Sequence, residues 1–170
     1  MVVLGLSAVC AVLLVFAAFH DVFDRTIPNW VSIAIAVLFL PAAYFANLTL
    51  ENFGWHLLVG FAALAVGVGL FYLRVWGGGD AKLVAAASLW MGVPAEMAFL
   101  AAFAIAGGLV ALPLIVVRRL DLKFSNPRMA KVFDTKKVPY GVAITAGAFW
   151  AATQSPIFTI ALNAISTSQS

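Results

Sequence analysis

The chain has 170 residues, 64% hydrophobic and 10% charged, with a mean hydropathy of +1.06. Those values exclude an ordinary soluble domain and fit one compact membrane bundle, a single domain over residues 1–170. Ten Lys and Arg against seven Asp and Glu give a net charge of +3, but the basic residues lie between apolar spans, which excludes nucleic acid as a partner and leaves the lipid bilayer.

A helix crossing the hydrocarbon core needs about 20 apolar residues. The first apolar run, 2–19, meets that requirement and contains Cys10, the single cysteine, so no disulfide forms within the chain. No Lys or Arg precedes it, so it reads as an uncleaved span rather than a signal peptide. Pro28 and Asn29 open a second span over 30–47, with Thr26 helping to cap it. A third covers 55–76 and ends at Gly77-Gly78-Gly79. A short fourth helix, 81–93, begins near Asp80 and turns at Pro94 into a fifth span, 97–117. Pro139-Tyr140 precedes a sixth, 141–162, and residues 166–170 form a frayed tail. No internal repeat, CxxC pair, HExxH or Walker lysine loop is present, which removes the commonest zinc and nucleotide readings.

The expected fold is therefore an all-α integral membrane protein, a bundle of six transmembrane helices with the fourth short. The alternative, a re-entrant fourth segment, leaves five crossings. Charge distribution decides between them. Arg118, Arg119, Lys123, Arg128, Lys131, Lys136 and Lys137 crowd the stretch before the last span. Six crossings put them on the same side as Arg25, Arg74 and Lys82, with Glu51 and Glu96 opposite. Five crossings split the basic residues between two sides. The positive-inside bias favours six, with the basic side cytoplasmic. Asp21 and Asp80 then share the cytoplasmic side.

An ionisable group at the edge of hydrocarbon is costly and marks a functional site by default. Asp80 follows three glycines, which permit positive φ and close approach of another backbone. Its plain structural role is that of a helix N-cap. Asp21 taken alone reads as a solvated loop carboxylate, and Asp24, beside Arg25, as half of an ion pair. Together, Asp21 and Asp80 at one membrane face point to a two-aspartate hydrolase. His20 reads as an interfacial histidine. His56, beside Trp55 at the opposite face, reads as an interface anchor. Lys82 orients a carboxylate, binds an acidic substrate group, or simply follows the positive-inside bias. The basic stretch 118–137 is explained by the same bias, with anionic lipid as a second use. Trp30, Trp55 and Trp76 lie at span ends, as aromatic belts do.

Asp21-x6-Pro28-Asn29, then Gly77-Gly78-Gly79-Asp80-Ala81-Lys82-Leu83, then Val138-Pro139-Tyr140-Gly141, resemble the type IV prepilin peptidases. In particular the chain looks like the small, single-function members associated with tight-adherence (Flp) pili, and its Gly-x-Gly-Asp element more distantly resembles presenilin-type intramembrane proteases. The resemblance implies a multi-pass aspartic endopeptidase of the bacterial inner membrane, cutting a short cytoplasmic leader from prepilins. By motif position it implies Asp21 and Asp80 as the catalytic pair, with Gly77, Gly79, Lys82, Pro28 and Asn29 shaping the site or binding substrate. It implies no metal and no cofactor, a prepilin substrate as partner, and contact with the pilus assembly machinery. Larger relatives carry a cysteine-rich segment and methylate the new N-terminus. This chain has no such segment, so methyl transfer is not implied.

Two carboxylates sharing a proton supply both halves of peptide hydrolysis, a base for water and an acid for the carbonyl. Two rival readings are a small transporter or ion pathway, using the aspartates for cation or proton binding, and a purely structural assembly subunit. The internal symmetry between halves common in transporters is absent.

Overall fold

The computed structural model describes residues 1–120 and 138–166, and every regular element among them is helical. The basic stretch from 121 to 137 and the tail from 167 lie outside the described residues. Among the described residues, three helices are long and apolar enough to cross a membrane.

Helix α1 (Val2–Asp24) runs unbroken for 23 residues, five beyond its apolar run, so Asp21 and Asp24 are helical rather than in a loop. Arg25 stops it in the left-handed conformation (φ 55, ψ 29), its N–H bonding the Asp21 carbonyl at 3.1 Å. A residue with a Cβ pays about 1–2 kcal/mol for that geometry. Pro28 is the N-cap of α2 (Asn29–Phe45). Thr26 does not cap it: no side-chain cap bond is made, and the Thr26 carbonyl instead accepts His20 Nδ1–H at 2.8 Å.

Helix α3 (Leu50–Tyr72) begins earlier than its apolar run suggests because Thr49 Oγ1 accepts the Asn52 N–H at 3.2 Å. It ends before Trp76, where the chain turns through Arg74 at φ 58. Helix α4 (Gly78–Arg119) contains one break, at Gly92 (φ 62, ψ 179), a conformation essentially reserved for glycine. Two residues on, Pro94 falls in the first turn of the helix that resumes, where its missing N–H would have no helical partner anyway. The break divides α4 into a first arm, 78–91, and a second arm, 93–119.

The first arm is the centre of the molecule. Leu83, Val84, Ala87, Trp90 and Met91 on it are all buried, and Phe39 of α2 and Phe99 of the second arm pack into the same core. Trp90 Nε1–H donates to the Ile35 carbonyl at 2.9 Å, tying this arm to α2. Helix α3 lies against the arm through small residues. A Cβ added at Gly67 would stand 2.9 Å from Ala81 Cβ, so the two backbones approach as membrane helices do when small residues meet. The outward side chains of α3, among them Trp55, Phe61 and Val66, are exposed and apolar, as a lipid-facing surface requires.

The last expected span is two helices, α5 (Tyr140–Ala151) and α6 (Pro156–Ser166), joined by the 3₁₀ turn Ala152–Gln154. Pro156 explains the break, since the residue before a proline is pushed to extended geometry and Ser155 sits at φ −74, ψ 132. The Ser155 hydroxyl is buried and donates to the Trp90 carbonyl. Helix α5 packs on α4 and α1, and α6 returns against α1.

Candidate functional site

A cavity of about 830 Å³ opens where α1 ends and α4 begins. Its walls come from four places: Asp21 and Arg25–Ile27, then Phe71 and Tyr72, then the turn Arg74–Asp80, and finally Val138 and Tyr140 before and within α5. Residues distant in sequence thus meet because α1, α4 and α5 all have an end at one pole of the bundle.

Asp21 lies in the last turn of α1 and is only 5% exposed. Its Oδ2 accepts the Gly141 N–H at 2.7 Å, a short bond of the charge-assisted kind. Asp80 lies in the first turn of α4 and is half-buried. It is not the N-cap residue that its place after the glycines suggests. From inside the helix its Oδ2 reaches back to the Gly77 N–H at 3.0 Å, the backward half of a capping box. The positive end of α4 favours a carboxylate there.

The glycines serve close approach rather than positive φ. Among the described glycines only Gly92 has positive φ, and the left-handed turn before the site is taken by Arg74. A Cβ at Gly79 would meet Ile27 Cβ at 3.0 Å and the Ile27 carbonyl at 3.2 Å, so a side chain there would push the start of α4 off the 25–27 turn. A Cβ at Gly77 would meet Asp80 Oδ2 at 2.9 Å.

Asp21, Asp80, Gly77 and Gly79 therefore line one cavity, with Phe71, Tyr72, Trp76 and Tyr140 as an aromatic wall and Arg25 and Arg74 as its cations. Pro28, Asn29 and Lys82 do not line it. Lys82 is exposed, and its Nζ donates to Asn29 Oδ1 at 2.9 Å, bracing the start of α4 against the start of α2. Asp24 is exposed and faces His20 Nε2 at 3.6 Å, one helical turn back. No group of three or more His, Cys, Asp or Glu among the described residues could hold a metal ion.

At the other pole, two sequence readings are corrected. His56 is no interface anchor: it is 2% exposed, bonds the Leu89 carbonyl through Nδ1 at 2.6 Å, and stacks over Gly92. Glu96, expected in a connection, is buried and accepts the Ser88 hydroxyl at 2.9 Å across the α4 break. Sequence reasoning also passed over Gly141 as a partner of Asp21. The available signal was the Pro139-Tyr140-Gly141 run opening a helix.

The chain matches the model of the type IV leader peptidase family over residues 8–112. That span takes in Asp21, Pro28, Asn29 and the Gly77–Lys82 segment, and leaves out Gly141. No curated protein and no solved structure matches the chain.

Proposed function

Since the chain belongs to the type IV leader peptidase family, we propose that it cuts the short leader from prepilins of the tight-adherence (Flp) type, with Asp21 and Asp80 as its catalytic pair. The observation that carries this reading is that the two carboxylates line a single cavity at one end of the bundle. The ionised aspartate takes a proton from water as the oxygen attacks the scissile carbonyl. The protonated one donates to the carbonyl oxygen, and the tetrahedral intermediate collapses with proton transfer to the leaving amine. The aromatic wall accepts apolar residues beside the cleavage point, and Arg25 and Arg74 face anionic groups of the substrate or lipid.

The reading includes six crossings: α1, α2, α3, the two arms of α4, and α5 with α6. The first arm is short, about 21 Å at 1.5 Å per residue, against a hydrocarbon core of about 30 Å. Its burial among the other helices accommodates that length, since few of its side chains need match the lipid. Six crossings leave Arg25, Arg74 and Lys82 on the side of the cavity, which by the positive-inside bias is the cytoplasmic face of the inner membrane, where a prepilin presents its leader.

The test is cleavage of a prepilin by the purified protein in detergent, with the new N-terminus mapped. Asp21→Asn and Asp80→Asn each lower cleavage by at least about 1000-fold while membrane insertion persists, in line with losses on removing a member of a catalytic pair. Cleavage within tenfold of the unaltered protein in either variant removes that residue from the pair.

A further inference from the structure

We infer that Gly141 is a positioning residue for the reaction, holding the Asp21 carboxylate in place with its backbone N–H. The inference rests on the reading of Asp21 and Asp80 as the catalytic pair, and extends it to a part of the chain that the family match does not cover.

Asp21 sits at the carbonyl end of α1, where the helix dipole is unfavourable to a carboxylate. Helix α5 supplies the opposite pole. Its first N–H groups have no partner within the helix. That of Tyr140 turns to the Val138 carbonyl at 3.0 Å, while that of Gly141 points to Asp21 Oδ2 at 2.7 Å in a buried contact. Such proximity requires a bare α-carbon. A Cβ at Gly141 would stand 2.9 Å from Asp21 Cβ, 3.1 Å from its Oδ2 and 3.3 Å from the Ala17 carbonyl. None of these can yield without turning the carboxylate or parting the helices.

A second tie lies along the same register. Thr145, one turn along α5, donates its hydroxyl to the Leu14 carbonyl at 2.8 Å, so α5 runs antiparallel along α1 with Gly141 level with Asp21. The two contacts separate experimentally. Gly141→Ala disturbs the carboxylate directly. Thr145→Val removes a tie between the same helices without touching Asp21.

In the cleavage assay Gly141→Ala lowers kcat by roughly ten- to a hundredfold, the size expected when a charge-assisted bond is lost, with KM within about twofold. Thr145→Val keeps kcat within about threefold. A second readout uses protein labelled with ¹⁵N-glycine in detergent micelles and needs neither activity nor an altered Gly141. The Gly141 amide proton resonates downfield and moves upfield in Asp21→Ala, and keeps its position in Asp24→Ala. If Asp21→Asn and Asp80→Asn abolish cleavage but Gly141→Ala leaves kcat within twofold, the positioning role is overturned while the catalytic pair stands. A Gly141 amide indifferent to Asp21→Ala overturns it equally. If the Asn variants cleave normally, the catalytic reading falls, and the positioning role with it, whatever the amide shows.

Discussion

Replacing Gly92 with alanine tests the break that divides α4. The φ of 62 and ψ of 179 at this residue lie where a Cβ meets its own backbone, at a cost of about 1–3 kcal/mol. The new methyl would also lie 2.5 Å from His56 Cε1, 2.6 Å from Nε2 and 2.8 Å from Nδ1. A ring carbon needs roughly 1 Å more than that at ordinary contact distance, so the imidazole must move. Movement breaks the Nδ1–H bond to the Leu89 carbonyl, 2.6 Å long, and disturbs the ring contact with Phe39, whose centroid is 5.4 Å away. Leaving a buried donor without its partner costs about 1–3 kcal/mol more. Together the terms give about 2–6 kcal/mol. Unfolding by increasing SDS in mixed micelles, followed by tryptophan fluorescence, measures the loss. A double-mutant cycle with His56→Ala separates the parts, because removing the ring relieves the steric term and leaves the backbone term. The pair therefore loses less than the sum of the singles by about 1–3 kcal/mol. A Gly92→Ala protein within 1 kcal/mol of the original, or a strictly additive cycle, refutes the account of the break.

Trp90→Phe removes the indole donor to the Ile35 carbonyl and leaves space in the most buried arm. The same micelle titration should show a loss of about 2–4 kcal/mol, while cleavage, at the other end of that arm, persists under conditions where the protein is folded. Lys82→Met removes an exposed bond to Asn29. Stability should fall by less than about 1 kcal/mol and KM for prepilin should change less than threefold. A tenfold rise in KM makes Lys82 a substrate contact instead of a brace. Asp24→Asn, which loses only an exposed contact with His20, should leave cleavage and stability unchanged within error, and a large loss of cleavage would mean the acidic pair has been assigned to the wrong residue of α1.

The long apolar runs marked where helices lie, because hydrocarbon demands about 20 apolar residues per crossing and few sequences meet that by chance. They did not mark which face of each helix is buried. In lipid both faces are apolar, so the contrast that reveals a core in a soluble helix is missing. His56 and Glu96 show the consequence. Read by composition they belong to an aqueous edge, yet both are buried and bonded to the first arm or across its end. The last span, read as one helix over 141–162, passed over Thr153-Gln154-Ser155-Pro156, a polar stretch and a proline that separate α5 from α6. The carboxylates were easier to read, since Asp21 and Asp80 stand out against a chain that is 10% charged. Their partners were harder, because backbone N–H groups leave no trace in side-chain chemistry.

The glycines around the cavity play a different part from the one their sequence suggests. A run of three beside an aspartate reads naturally as a sharp turn, but the turn is made by Arg74 with its Cβ in place. What the glycines supply is distance. Gly79 lets the start of α4 meet Ile27, and Gly141 lets the start of α5 meet Asp21. Lys82 and Asn29 add a polar tie between α4 and α2 beside them. Each contact joins elements remote in sequence, and each is made within one or two residues of an aspartate or its turn. The relative placement of Asp21 and Asp80 is thus set by backbone proximity at helix ends, where a single added methyl shifts a carboxylate by a few tenths of an ångström. An arrangement of this kind is sensitive at Gly79 and Gly141 and tolerant along the lipid-facing side of α3, where Phe61 and Val66 are exposed and stand outside the cavity lining.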